Sequence, residues 1–115
     1  MSQMSFETAE AIFNIAKEKM VKLPETMIQY PNLLNDELYN IYTIEDLMEI
    51  LPREIEGCSA PFAFIIVWES NEFCVGYRDL NNNYDFFYKW SENDESLTEA
   101  LGKLLVWCIE EGHVK

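Results

Sequence analysis

Glycine and histidine are scarce in this sequence, and each scarcity argues against a class of function. The four glycines stand singly among 115 residues, so they cannot build a loop that cradles a phosphate. One histidine, His113, and three cysteines without C-x-x-C spacing do not form the pattern of a zinc site or of a nucleophile activated by a base. We therefore expect no metal ion, no other cofactor and no catalytic activity.

Basic residues are also few, with 8 lysines and arginines against 21 aspartates and glutamates and a net charge of −13. A field of this sign repels phosphate backbones, which argues against direct binding to nucleic acid. Residues 1–22 hold equal numbers of acids and lysines, so the remainder carries the whole excess. The acidic surface serves either solubility or the attraction of a basic protein partner. As candidates for a partner-binding acidic surface we select Glu45, Glu49, Asp94 and Glu95.

Long apolar runs and a secretory leader are missing as well. The longest uninterrupted apolar run, Phe62 to Trp68, is too short to span a bilayer, and the first residues lack the basic start and apolar core of a signal peptide. The odd number of cysteines, Cys58, Cys74 and Cys108, indicates reduced thiols. We expect a cytoplasmic protein that does not bind membranes, folded as a single domain over residues 1–115.

A helix over residues 96–112 has the clearest signals in the chain. Ser96 is a good N-terminal cap, Glu99 can reach back to the Ser96 amide, and Gly112 is suited to the left-handed residue that ends many helices. One side of this helix is apolar and needs a sheet to cover it. Its members are Leu97, Ala100, Leu101, Leu104, Leu105, Trp107 and Cys108.

Two further helices are predicted in the N-terminal part, residues 5–52. Apolar residues three and four apart predict a helix from Ser5 to Leu23, capped by Ser5 and stopped by Pro24. The favoured interpretation is a helix docked on its own domain, which leaves open a partner-binding or homodimer-forming helix. Residues 24–42 are interpreted as an ordered connector, and Thr43 begins a short helix that ends at Pro52.

The sheet is predicted from three segments that precede the last helix. Phe62 to Trp68 is typical of a strand covered on both faces, and Phe73 to Arg78 returns as a hairpin. A third strand, 84–90, is followed by an acidic loop at 91–95. The expected fold is α+β: two leading helices, a three-stranded antiparallel β-meander and a C-terminal helix packed on the sheet, the last two within residues 62–112.

Two motifs near the third strand have a functional and a structural interpretation. Asp79, Asn81, Asn83 and Asp85 alternate as in a calcium loop, but Tyr84 and Trp90 stand where such a loop needs glycine and glutamate, so a hairpin turn is favoured. The aromatic stripe at strand spacing is interpreted as core and not as a binding platform. It consists of Tyr84, Phe86, Tyr88 and Trp90.

Two short motifs lie within residues 62–112: Val75-Gly-Tyr-Arg-Asp79-Leu80 at a strand end and Ser96-Leu-Thr-Glu-Ala-Leu101 at a helix start. In these motifs the segment resembles the N-terminal unit of HicB-type antitoxins. The helix ending Leu-Leu-x-Trp-x-Ile-Glu-x-Gly is similar to that of small uncharacterised phage and prophage proteins. With the charge and the lack of catalytic motifs, we predict a small acidic intracellular binding protein of phage or prophage type that acts through protein contacts. The alternative is an antitoxin-like inhibitor of a basic toxin nuclease, and the third prediction is a small enzyme of unknown class.

Overall fold

The computed structural model describes residues 3–56, 61–79 and 88–114, and in them three helices combine with two antiparallel sheets. The chain begins with α1 (Phe6–Glu18), a hairpin of β1 (Gln29–Asn32) and β2 (Glu37–Asn40), and α2 (Ile44–Ile50). It continues with β3 (Glu54–Ile55), β4 (Phe62–Glu69), β5 (Glu72–Asp79), β6 (Tyr88–Asp94) and α3 (Leu97–Glu110). The predicted α+β class, with a last helix that contacts the sheet, is confirmed.

The number of strands differs from the predicted three. The main sheet has four strands in the order β3-β4-β5-β6, because the two residues of β3 pair with the start of β4. A separate two-stranded sheet, β1 and β2, occupies the predicted connector. β3 is too short to show a period of two, and Pro31 makes β1 resemble a loop in sequence. The predicted acidic loop at 91–95 is also wrong, since β6 continues to Asp94.

Strand β4 is an inner strand, as expected, but its faces are not both covered. Ile66 is 39% and Trp68 58% exposed, because α3 packs mainly on β5 and β6 and leaves the end of β4 uncovered. The turn to β5 is a two-residue connection in which Ser70 and Asn71 have φ values of +54° and +65°. Positive φ at both positions is the requirement of the type I′ turn, which matches the twist of the strands it joins.

The last helix has the predicted boundaries. The Ser96 hydroxyl accepts a hydrogen bond from the Glu99 amide, and Gly112 has a φ of +79°. The His113 amide donates to the Cys108 carbonyl at 2.8 Å and the Gly112 amide to the Ile109 carbonyl at 3.2 Å, which is the Schellman arrangement. The predicted apolar face is buried apart from the half-buried Leu97, so its packing is confirmed.

Helix α1 starts at its predicted cap but ends five residues early. It stops at Glu18 because Met20 adopts a left-handed conformation, with φ of +57°, and the Val21 amide returns to the Ala16 carbonyl. Ser5 caps the first turn, as predicted. Its apolar residues, among them Ala9, Ile12 and Phe13, pack on α3 and on the β1–β2 hairpin, which confirms the helix docked on its own domain.

The second helix follows its sequence signal closely. Thr43 and Asp46 form a reciprocal capping box at the start of α2, and Leu47 is fully buried. Glu99 does not form the equivalent box in α3. Its carboxylate accepts hydrogen bonds from the Ser5 amide and the Thr8 hydroxyl at the start of α1, and the Ser96 amide donates to Asp94 Oδ1 at 2.9 Å instead. A long-range partner therefore replaces the predicted local one.

Candidate functional site

A groove of about 410 Å³ lies where α1, β6 and α3 meet. We call it the aromatic groove. Its apolar lining is Ala11, Trp90, Val106 and Trp107, and its charged rim is Glu7, Glu92, Lys103 and Glu110. These residues come from three elements, so the groove forms only when the two helices pack beside the last strand.

The two tryptophans of the groove are stacked on each other. Their ring centroids are 5.5 Å apart and the ring planes differ by 5°. Trp107 is 8% exposed, held between Trp90 and the His113 ring, whereas Trp90 is 43% exposed. The Trp90 Nε1–H donates a hydrogen bond of 2.6 Å to Glu92 Oε2. This bond and the stacking fix an accessible indole ring beside a carboxylate.

The predicted core stripe is therefore wrong at Trp90. The register pairs Trp90 with Tyr77, whose buried ring also lies near Trp107, so Trp90 points to the side of the sheet that α3 covers. Trp90 lies at the edge of the area that α3 covers, because β6 is the outermost strand of the described sheet. The side chains of the other three residues, Tyr84, Phe86 and Tyr88, lie outside the described part of the chain.

Charges around the groove leave an excess of carboxylates. Lys103 Nζ lies 2.8 Å from Asp94 Oδ2. Partial burial alone would raise the pKa of Asp94, but the hydrogen bonds from Lys103 and the Ser96 amide outweigh it and hold that pKa below its ordinary value. The hydrogen bond to Asp94 in turn raises the pKa of Lys103. Lys103 also interacts electrostatically with Glu92. Among the described residues, the rim therefore has a single lysine, already paired with Asp94, against the three glutamates Glu7, Glu92 and Glu110.

The four acids selected from the sequence take different positions. Glu45 and Glu49 are exposed on α2, and Glu95 is exposed between β6 and α3. Asp94 is half-buried, with its two oxygens bonded to Ser96 and Lys103, so it contributes to the start of α3 and to the position of Lys103. None of the four lines the aromatic groove.

Sequence reasoning missed the rim because its residues are far apart in the chain. Glu7 is on α1, Glu92 on β6 and Glu110 on α3. The signal that was present is the spacing of Trp90 and Glu92, since residues two apart in a strand share a face. That signal was hidden by the prediction of a loop at residues 91–95.

A second and larger groove, about 680 Å³, lies between α1 and the β1–β2 hairpin. Several of its polar side chains already form hydrogen bonds within the chain. Asn40 Oδ1 accepts from the Thr26 amide at 3.0 Å and from Gln29 Nε2 at 2.9 Å, and the Tyr42 hydroxyl donates to the Pro24 carbonyl at 3.3 Å. These hydrogen bonds connect the segment after α1 to the β1–β2 hairpin. We therefore interpret this groove as a packing interface within the fold and not as a binding site.

No nucleophile or metal site emerges among the described residues. Burial raises the pKa of the Cys108 thiol to about 12, and that thiol donates to the Tyr77 hydroxyl at 3.7 Å. Within the described ranges, no group of three histidine, cysteine or acidic side chains is placed to hold a metal ion, and no helix is long and apolar enough to cross a membrane. Asn81, Asn83 and Asp85 of the calcium-like motif lie outside those ranges.

In comparisons with family models, with curated proteins and with solved structures, the chain has no match.

Proposed function

We propose that this chain is a small acidic binding protein that acts through protein contacts, of the phage or prophage type that its last helix resembles. The partner is a basic protein, and a lysine or arginine side chain of that partner binds in the aromatic groove. The observation that carries this proposal is the stacked Trp90–Trp107 pair beside a rim on which, in the described part of the chain, three glutamates surround one lysine that is already paired with Asp94. Function by protein contact also accords with the sequence, which has no catalytic motif.

The chemistry of the groove favours a cation over other ligands. A lysine or arginine head is attracted by the face of an indole ring, a contribution of about 0.5–2 kcal/mol, and the carboxylates add a charge-assisted hydrogen bond. Anionic ligands would meet repulsion from the rim and from a net charge of −13. The same long-range field accelerates the approach of a basic protein.

Titration of labelled peptides, followed by fluorescence anisotropy, tests this function. A short peptide of alternating lysine and threonine is expected to bind, its glutamate counterpart is not, and the association should weaken as salt is added. Trp90→Ala is expected to reduce the affinity about tenfold. The pair Glu92→Gln and Glu110→Gln should reduce it as well, since it removes two rim charges.

Two matched variants separate the groove from general effects. Trp68→Ala removes another tryptophan, which is 58% exposed on β4, packs against the Phe73 ring at a tilt and does not line the groove. Glu45→Gln with Glu49→Gln removes two acids from α2. Both controls should keep nearly the wild-type affinity. If the α2 pair and the rim pair lost affinity equally, only the overall charge of the protein would matter. Wild-type affinity in Trp90→Ala would refute the groove as the binding site.

The runner-up is an antitoxin-like inhibitor of a basic toxin nuclease. It is favoured by the same acidic rim, because a nuclease with a basic substrate surface presents the side chains that this groove fits. A short open reading frame for a basic protein next to this gene would support it, and inhibition of that protein's nuclease activity by wild type but not by Trp90→Ala would test it.

A further inference from the structure

The outer edge of β6 has no strand beside it in the described part of the chain. β6 is the last strand in the order β3-β4-β5-β6, and two of its residues, Trp90 and Glu92, line the aromatic groove. An unpaired strand edge presents a row of backbone donors and acceptors that another extended chain can use. The edge and the groove are therefore adjacent parts of one surface.

The register shows which backbone groups of β6 point outward. The Phe64 amide donates to the Arg53 carbonyl at 2.9 Å, so the Phe64 backbone faces β3 and away from β5. Tyr77, which lies opposite Phe64, consequently faces β6 and pairs with Trp90. Because the direction alternates along a strand, Glu92 and Asp94 also face β5, whereas Ser91 and Asn93 face outward. Both outward residues are exposed.

We propose that the basic partner binds by adding an extended segment to β6 as a fifth strand. This inference rests on the proposed function and names the form of the partner. Side chains of the added strand that lie beside Trp90 and Glu92 point to the same face of the sheet, where the aromatic groove lies. Alternate lysine or arginine residues would thus reach the tryptophan and the rim, while the main chain bonds to Ser91 and Asn93.

Charge complementarity favours β6 over the other free edge of the main sheet. Beyond the two residues of β3, the outer edge of β4 is also unpaired within the described ranges, but Ile66 and Trp68 are exposed there and its one acid, Glu69, is the last residue of the strand. β6 has Glu92 beside Trp90 on the groove face, where the rim also includes Glu7 and Glu110. A basic strand therefore gains more favourable charge contacts at β6 than at β4.

Peptides methylated on alternate backbone nitrogens test the added strand with the protein unaltered. Two versions of the lysine–threonine peptide carry N-methyl groups either on all lysines or on all threonines. In a strand, successive N–H groups point to opposite sides, so only one of the two sets can donate to β6, whichever direction the added strand takes. We expect one version to bind like the parent peptide and the other to bind at least about tenfold more weakly.

The outcomes separate this inference from the proposed function. Equal affinities of the two methylated versions, whether both strong or both weak, would overturn the added strand. If the parent peptide still depended on Trp90 in that case, the aromatic groove would stand as the binding site. A parent peptide that fails to bind would refute the proposed function and this inference with it.

Discussion

At the scale of single residues, two acids act at the starts of helices instead of in solvent. Glu99 on α3 accepts hydrogen bonds from Ser5 and Thr8 in the first turn of α1, and Asp94 accepts one from the Ser96 amide at the start of α3. Both satisfy groups at helix starts and place negative charge at the positive end of a helix dipole. Part of the acidic excess therefore holds the two packed helices in place.

Met20 is a residue whose conformation costs stability. It sits at the left-handed end of α1 with φ of +57°, while its side chain is 91% exposed and contributes little packing. Met20→Gly should therefore raise the free energy of unfolding by about 0.5–1 kcal/mol, since glycine adopts this conformation without strain. Urea denaturation of the variant and the wild type measures the difference.

Met20→Ala is the matched control, because it removes the same side chain but keeps a Cβ atom in the left-handed conformation. It should leave stability close to that of the wild type. If Met20→Ala stabilised the protein as much as Met20→Gly, the exposed methionine side chain, and not the backbone conformation, would be the unfavourable feature.

At the scale of elements, the fold depends on a close approach of α1 and α3. A Cβ atom added to Gly102 would lie 2.5 Å from Thr8 Cγ2 and 3.2 Å from Met4 Cε. Glycine at this position destabilises the isolated helix by about 1 kcal/mol relative to alanine, but its lack of a side chain allows α1 and α3 to come into contact. The contact also brings Glu99 within reach of Thr8.

Gly102→Ala should lower the free energy of unfolding by about 1–3 kcal/mol, because the clash with Thr8 exceeds the gain in propensity. Thr8→Ser removes the clashing methyl group but keeps the hydroxyl that donates to Glu99. The double variant should recover most of the loss. Denaturation of both single variants and the double variant gives the coupling, and strictly additive effects would show that the methyl is not what Gly102 avoids.

At the scale of the whole molecule, a neutral interior lies under an acidic surface. Tyr77 and Cys108 are fully buried next to each other, and the Tyr77 hydroxyl donates to the Pro52 carbonyl at 2.7 Å. Burial, followed by the adjacent Cys108, raises the pKa of Tyr77, and burial raises that of Cys108 to about 12. Folding therefore requires both groups in their protonated forms.

Stability should fall on the alkaline side for this reason. A cysteine in the unfolded chain loses its proton near pH 9, below the folded pKa of about 12, so above pH 9 the folded state holds more protons and loses stability as the pH rises. Below that pH the contribution is complete. Urea denaturation from about pH 8 to about pH 11 should show this decline, and Cys108→Ala should make it shallower. An unchanged slope in the variant would assign the decline to other groups.

The elements with complete local signals were predicted well. Helix α3 has a cap at Ser96, an apolar face and a terminating Gly112. The capping box of α2 is formed by Thr43 and Asp46, which are three residues apart. Prediction failed where neighbours in space override local signals. Three features depend on packing or strand pairing between distant residues, which a short stretch of sequence does not reveal. They are the end of α1 at Met20, the two-residue strand β3 and the extension of β6 through four polar residues.

Local patterns were enough to predict the α+β class, the buried face of α3 and the strong negative charge, because periodicity, caps and composition are properties of neighbouring residues or of simple counts. The aromatic groove exists only through tertiary packing. Trp90 and Trp107 meet because β6 lies at the edge of the sheet under α3, and Glu7 joins them because Gly102 lets α1 approach. Contacts between residues so distant in the chain follow from the packing of whole elements, so local patterns do not reveal them.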